Sequence, residues 1–137
     1  MIGVLVVTHC HLGDALLEAV DFILGERPEA MAAVSIDLNE NADKLRNKLA
    51  DAIKKLKNDE GTLILTDMFG GTPSNLSYSF LEEGRIEVVS GVNLPILIRA
   101  ASARKNQSLA ELAANIEAFG KKSISMASGI LKGNKRG

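Results

Sequence analysis

The sequence predicts an α/β domain: an open, mainly parallel, doubly wound sheet of order 2-1-3-4 with helices on both faces. Three observations point there. Short apolar runs alternate with longer segments whose apolar residues recur at helical spacing. The first run, Ile2 to Val7, is unbroken and rich in β-branched residues, the pattern of a strand covered on both faces. No internal repeat, low-complexity segment or Pro-rich linker interrupts the resulting βαβαβαβ rhythm, which implies a parallel sheet in one domain.

After the first strand, Leu16, Leu17, Val20, Ile23 and Leu24 recur at helical spacing from Asp14, and Gly25 is placed to end that helix. Residues 31–37 form a weaker second strand. Asn41 starts a charged helix whose Leu45, Leu49, Ile53 and Leu56 make one apolar stripe. Residues 62–66 form a third strand that stops at Asp67. Thr72 is expected as N-cap with Pro73 as first helical residue, and Gly84 closes this helix. Residues 86–90 make strand four, and Pro95 opens the next helix. Ser108 and Glu111 have the spacing of a capping box ahead of Leu112, Ile116 and Phe119. Residues 122–128 form a thin late strand. The domain is expected over residues 1–128, with 129–137 as a flexible tail in which Lys132, Lys135 and Arg136 are solvated.

Composition narrows the function. Sixteen Lys and Arg balance seventeen Asp and Glu for a net charge of −1, which argues against a dedicated nucleic-acid binder. A single cysteine excludes an intramolecular disulfide framework and fits a reducing compartment. The apolar runs are far shorter than the ~20 residues that span a bilayer. Residues 1–8 lack the basic start of a signal peptide. The expectation is a cytoplasmic protein with no direct membrane insertion.

Open α/β sheets bind ligands beyond the carboxyl ends of their strands, at the switch point of the strand order. In order 2-1-3-4 those ends carry Thr8-His9-Cys10-His11 from strand one and Asp67-Met68-Phe69-Gly70-Gly71-Thr72 from strand three. His9 and Asp67 then face each other. Gly70 and Gly71 let the backbone approach a ligand closely, and the following helix start with the Thr72 hydroxyl suits a phosphoryl group. No lysine follows the glycines and no GxGxxG occurs, so a nucleotide site is not expected. His9 reads as a nucleophile whose second nitrogen holds its proton against Asp67, with no metal and no cofactor required.

The stretches IGVLVVTHCHLGDALLEAVDFILG, LTDMFGGTPSN and VVSGVNLPILI resemble the mannose-family (fructose, mannose and sorbose) IIA component of the bacterial sugar phosphotransferase system. The resemblance covers residues 1–125. It implies that His9 is phosphorylated, that Asp67 orients its imidazole and that Gly70, Gly71 and Thr72 bind the phosphoryl group. It implies transfer from the histidine phosphocarrier protein to a IIB component, expected here to be a separate polypeptide because the sequence ends at Gly137. It also implies a homodimer that exchanges the late strand, 122–128. A related group, the dihydroxyacetone-kinase phosphocarriers, shares the strand-end histidine but is expected to carry a different loop in place of Gly70-Gly71-Thr72-Pro73. A regulatory module whose phosphorylation state is the signal would need the same His9, so the site motif leaves that alternative open.

The remaining residues near the site carry less. Met68 and Phe69 read either as a lid over the core or as a docking surface for the carrier. His11 reads as a helix-start or rim residue and Cys10 as a packed thiol. His9, Cys10 and His11 are adjacent and cannot all point one way, which disfavours zinc. Asn93 reads as a turn-holding residue.

Overall fold

In the computed structural model, which describes residues 1–56 and 59–132, four strands form one parallel sheet in the order β2-β1-β3-β4. The strands are β1 (Gly3–His9), β2 (Met31–Ile36), β3 (Thr62–Thr66) and β4 (Ile86–Ser90). The helices are α1 (Leu12–Leu24), α2 (Ala42–Leu56), α3 (Thr72–Tyr78), α4 (Leu94–Ala103), α5 (Leu109–Lys122) and α6 (Ala127–Lys132). Val4 pairs with Met31 on one side and Leu63 on the other, and Leu63 with Glu87, so β1 and β3 are central.

Alternation along the central strands builds two cores. Val4, Val6, Leu63 and Leu65 pack with Leu17 and Val20 of α1, Ile96 and Leu97 of α4, and Leu112 and Ile116 of α5. Leu5, Val7 and Ile64 turn to the other face, against Leu45 and Leu49 of α2. Both faces of β1 are therefore buried, which is why its apolar run has no polar interruption. Gly13 lets α1 sit close on β1: an added Cβ would lie 3.3 Å from Val6 Cγ1, Thr8 Oγ1 and Ala33 Cβ. Its N–H donates to Thr8 Oγ1 at 2.9 Å, which fixes the turn that follows His9. At the opposite end of the sheet the buried Arg104 guanidinium donates to the carbonyls of Ile2, Glu29 and Ala30, tying β1 to the entry of β2.

The helix punctuation largely follows the sequence. Gly25 ends α1 in the left-handed region at φ 87°. Asn41 Oδ1 accepts from Lys44 N at 2.8 Å. Asn93 Oδ1 accepts from Ile96 N at 3.0 Å, capping α4, and the Ser108–Glu111 capping box is formed.

Three expectations need correction. Thr72 is not the N-cap of α3 but its first residue; the extended residue before it is Gly71, at φ −88° and ψ 174°. That helix ends at Tyr78, and Gly84, at φ 78°, instead turns the chain into β4. Residues 122–128 form no strand in the single chain: Lys122 closes α5, Ser123 N donates to Gly120 O, and α6 starts at Ala127. A strand needs a neighbouring edge for its hydrogen bonds, and within the chain residues 124–126 run between α5 and α6 outside the sheet. The expected tail is helical through Lys132, while Lys135 and Arg136 lie outside the described residues.

Candidate active site

β1 and β3 are neighbours, so their carboxyl ends bring His9 and Asp67, 58 residues apart in sequence, into contact. Asp67 Oδ2 lies 2.8 Å from His9 Nδ1 and accepts the His9 backbone N–H at 2.9 Å. Its other oxygen, Oδ1, accepts the Met68 N–H at 3.0 Å. A carboxylate only accepts, so in the neutral ring this contact places the proton on Nδ1 and leaves the Nε2 lone pair free. The Asp67 side chain is 11% exposed and that of His9 35%, so the pair opens to solvent on the imidazole side. Burial alone would raise the Asp67 pKa. The hydrogen bonds from the His9 N–H, the imidazole and the Met68 N–H outweigh it and hold the carboxyl below its ordinary 3.8.

The glycine loop closes over the ring. Gly70 adopts φ 91°, a turn conformation that favours glycine. Gly71 has an ordinary backbone, but a Cβ built on it would lie 2.9 Å from His9 Cε1 and 3.3 Å from Nε2. The loop thus runs close beside the imidazole. Gly71 and Thr72 stand at the start of α3, where backbone N–H groups have no intrahelical partner.

Sequence reasoning missed what lies beneath this loop. Ser74 Oγ donates to the Met68 carbonyl and lies 2.8 Å from Thr66 Oγ1, which donates to Ser90 Oγ at 2.8 Å. Tyr78 OH lies 3.0 Å from the same Ser90 oxygen. The Met68 peptide is consequently held at both ends, by Asp67 through its N–H and by Ser74 through its C=O. Two hydroxyl residues at strand ends and two a helical turn apart are too common a composition to signal such a network before the strands are paired.

Met68 and Phe69 are exposed at the loop tip, with Phe69 against Tyr78 at 5.8 Å between ring centroids. They do not cover the core. His11 stands at the start of α1, exposed, with its Nδ1 3.3 Å from Asp14 Oδ2 and 3.2 Å from Ser35 Oγ. Cys10 is exposed rather than packed, because the turn between β1 and α1 takes it through the left-handed region at φ 51°. Among the described residues no group of three or more His, Cys, Asp or Glu side chains could hold a metal ion.

Residues 3–117 match the family described as EIIA-man, PTS system fructose IIA component. The chain belongs to this mannose family of phosphotransferase-system IIA components. It is 35% identical over 129 residues to the fructose-specific EIIA component of Bacillus subtilis, covering 93% of this chain and 88% of that one. It is 33% identical over 104 residues to the mannose-specific EIIAB component of Escherichia coli, covering 75% of this chain and 32% of the longer protein. Among solved structures, a mannose/sorbose-specific IIA subunit from Enterococcus faecalis superposes with a TM-score of 0.81 at 26% identity, covering 91% of this chain and 93% of that one. This IIA component is therefore a phosphoryl-transfer protein of the sugar phosphotransferase system.

Proposed function

We propose that this IIA component accepts a phosphoryl group on His9 Nε2 from the histidine phosphocarrier protein and passes it to a IIB component for sugar uptake. The observation that carries this reading is the 2.8 Å contact between His9 Nδ1 and Asp67 Oδ2, which in the neutral ring turns the Nε2 lone pair to the glycine loop. Nε2 forms a bond to phosphorus as the bond from phosphorus to the donor nitrogen breaks, and the donor ring keeps that electron pair. The His9 ring gains positive charge as it attacks, and Asp67 stabilises it. The N–H groups of Gly70, Gly71 and Thr72 and the Thr72 hydroxyl receive the phosphoryl oxygens. Transfer to IIB reverses these steps.

The exposed Met68 and Phe69 serve as docking surface for the partners, which meet the protein in the cytoplasm. No helix among the described residues is long and apolar enough to cross one. Homodimerisation belongs to the same proposal. β4 is an edge of the sheet, and a groove of about 820 Å³ runs along it between Phe69, Tyr78 and α5. Ile124 and Met126, which follow α5, are exposed. Both features support exchange of residues 122–128 with a second copy, the strand forming only when it meets the partner's edge.

The test starts from purified phosphorylated carrier in the presence of chelator. Wild type and His11→Ala take up an acid-labile, alkali-stable label, and His9→Ala takes up none. Labelling that survives in His9→Ala, or that collapses in chelator and returns with magnesium, overturns the mechanism.

A further inference from the structure

We propose that Gly71 is a positioning residue for His9: its missing side chain is the space that keeps the imidazole on Asp67. The inference builds on the role given to His9 above and changes the role of Gly71 from a backbone donor alone to a shelf for the ring. The backbone at Gly71, φ −88° and ψ 174°, is open to any residue, so conformation does not require glycine there. Gly70 is the opposite case, with φ 91° and nothing within 4 Å of an added Cβ. At Gly71 the added Cβ would meet the ring at 2.9 Å from Cε1 and 3.3 Å from Nε2, with Met68 Cγ farther at 3.6 Å.

A carbon–carbon contact of 2.9 Å has to be relieved, and the surroundings decide what moves. Gly71 is anchored, since its carbonyl accepts from Asn75 N at 2.9 Å in the first turn of α3. Asp67 is anchored by Met68 N and the His9 backbone N–H. The His9 ring, at the end of a side chain that is 35% exposed, has an open side toward solvent. Rotation that way lengthens the bond between Nδ1 and Asp67, and with it goes the force that keeps the proton on Nδ1. A proton on Nε2 removes the nucleophile. Alanine retains the backbone N–H, so a defect in Gly71→Ala separates the shelf from any donation to phosphate.

The experiment has two readouts that need no phosphoryl donor. Nitrogen-15 spectra of the His9 ring at alkaline pH should show the Nδ1–H tautomer in wild type, and a shift toward Nε2–H in Gly71→Ala. A double-mutant cycle of melting temperatures should show that Gly71→Ala destabilises the protein carrying His9 and costs nothing in His9→Ala. If Gly71→Ala alone does not fold, the double variant should. Single-turnover transfer from phosphorylated carrier should slow about 10²-fold in Gly71→Ala, the scale of a misplaced reacting group. An unchanged tautomer, an equal cost in the His9→Ala background, or transfer within threefold of wild type overturns the proposal. A wild-type protein that takes no phosphoryl group refutes the proposed function instead, and leaves the tautomer and cycle results to be read on their own.

Discussion

Replacing Asp67 by asparagine changes almost no volume but removes one acceptor from a site that uses both. Oδ2 accepts from His9 N and Nδ1, and Oδ1 accepts from Met68 N. If the amide oxygen stays on the His9 side, the new NH₂ group meets the Met68 N–H donor to donor. If the amide flips, its NH₂ faces Nδ1, which must then accept, and the ring proton moves to Nε2. In either orientation the full negative charge opposite the developing imidazolium is gone. Hydrogen bonds to charged groups contribute about 1.5–3 kcal/mol, and about 1.4 kcal/mol is tenfold in rate. Asp67→Asn should therefore slow single-turnover transfer by about 10²-fold, with little change in the affinity for the carrier. Quenched-flow labelling from phosphorylated carrier, at several carrier concentrations, separates the two effects. A transfer rate within threefold of wild type would refute the assignment of Asp67 as the orienting and charge-stabilising group.

The lowered pKa of Asp67 makes a pH prediction. Its contribution to stability is fully present above the ordinary 3.8 and is lost as pH falls through its lower value in the fold. The stability gap between wild type and Asp67→Asn, from urea unfolding, should therefore shrink on acidification below that point; a constant gap contradicts it. Ser74→Ala should cost about 0.5–1.5 kcal/mol in urea unfolding, because the hydrogen bond from the buried Ser74 hydroxyl to the Met68 carbonyl is lost, and no measurable loss would count against the network. Removing residues beyond Ser123 should convert a dimer to a monomer by light scattering. A full-length chain that is monomeric at all concentrations contradicts the exchange.

The strands and the faces they bury were legible in the sequence. Val4 and Leu5 alternate between two cores, and an apolar run such as residues 2–7 suits a strand covered on both faces. Caps read well at Asn41 and Ser108, where donor and acceptor are three residues apart, whereas Asn93, read as a turn residue, caps α4. The His9–Asp67 pair was legible only through the expected strand order, which set two distant strand ends side by side. Other features depended on distances that no local pattern encodes. That a Cβ at Gly71 would meet the His9 ring shows only once β1 and the loop after β3 lie side by side. The Thr66, Ser74, Ser90 and Tyr78 hydroxyls meet only once β3, β4 and α3 are assembled. Residues 122–128 show the limit most clearly. Their apolar and β-branched residues fit a strand, yet a strand exists only against an edge, and within one chain residues 123–126 link α5 to α6 outside the sheet. Local sequence sets propensity and polarity; the pairing of non-local backbone and the close packing of side chains decide which of those preferences is realised.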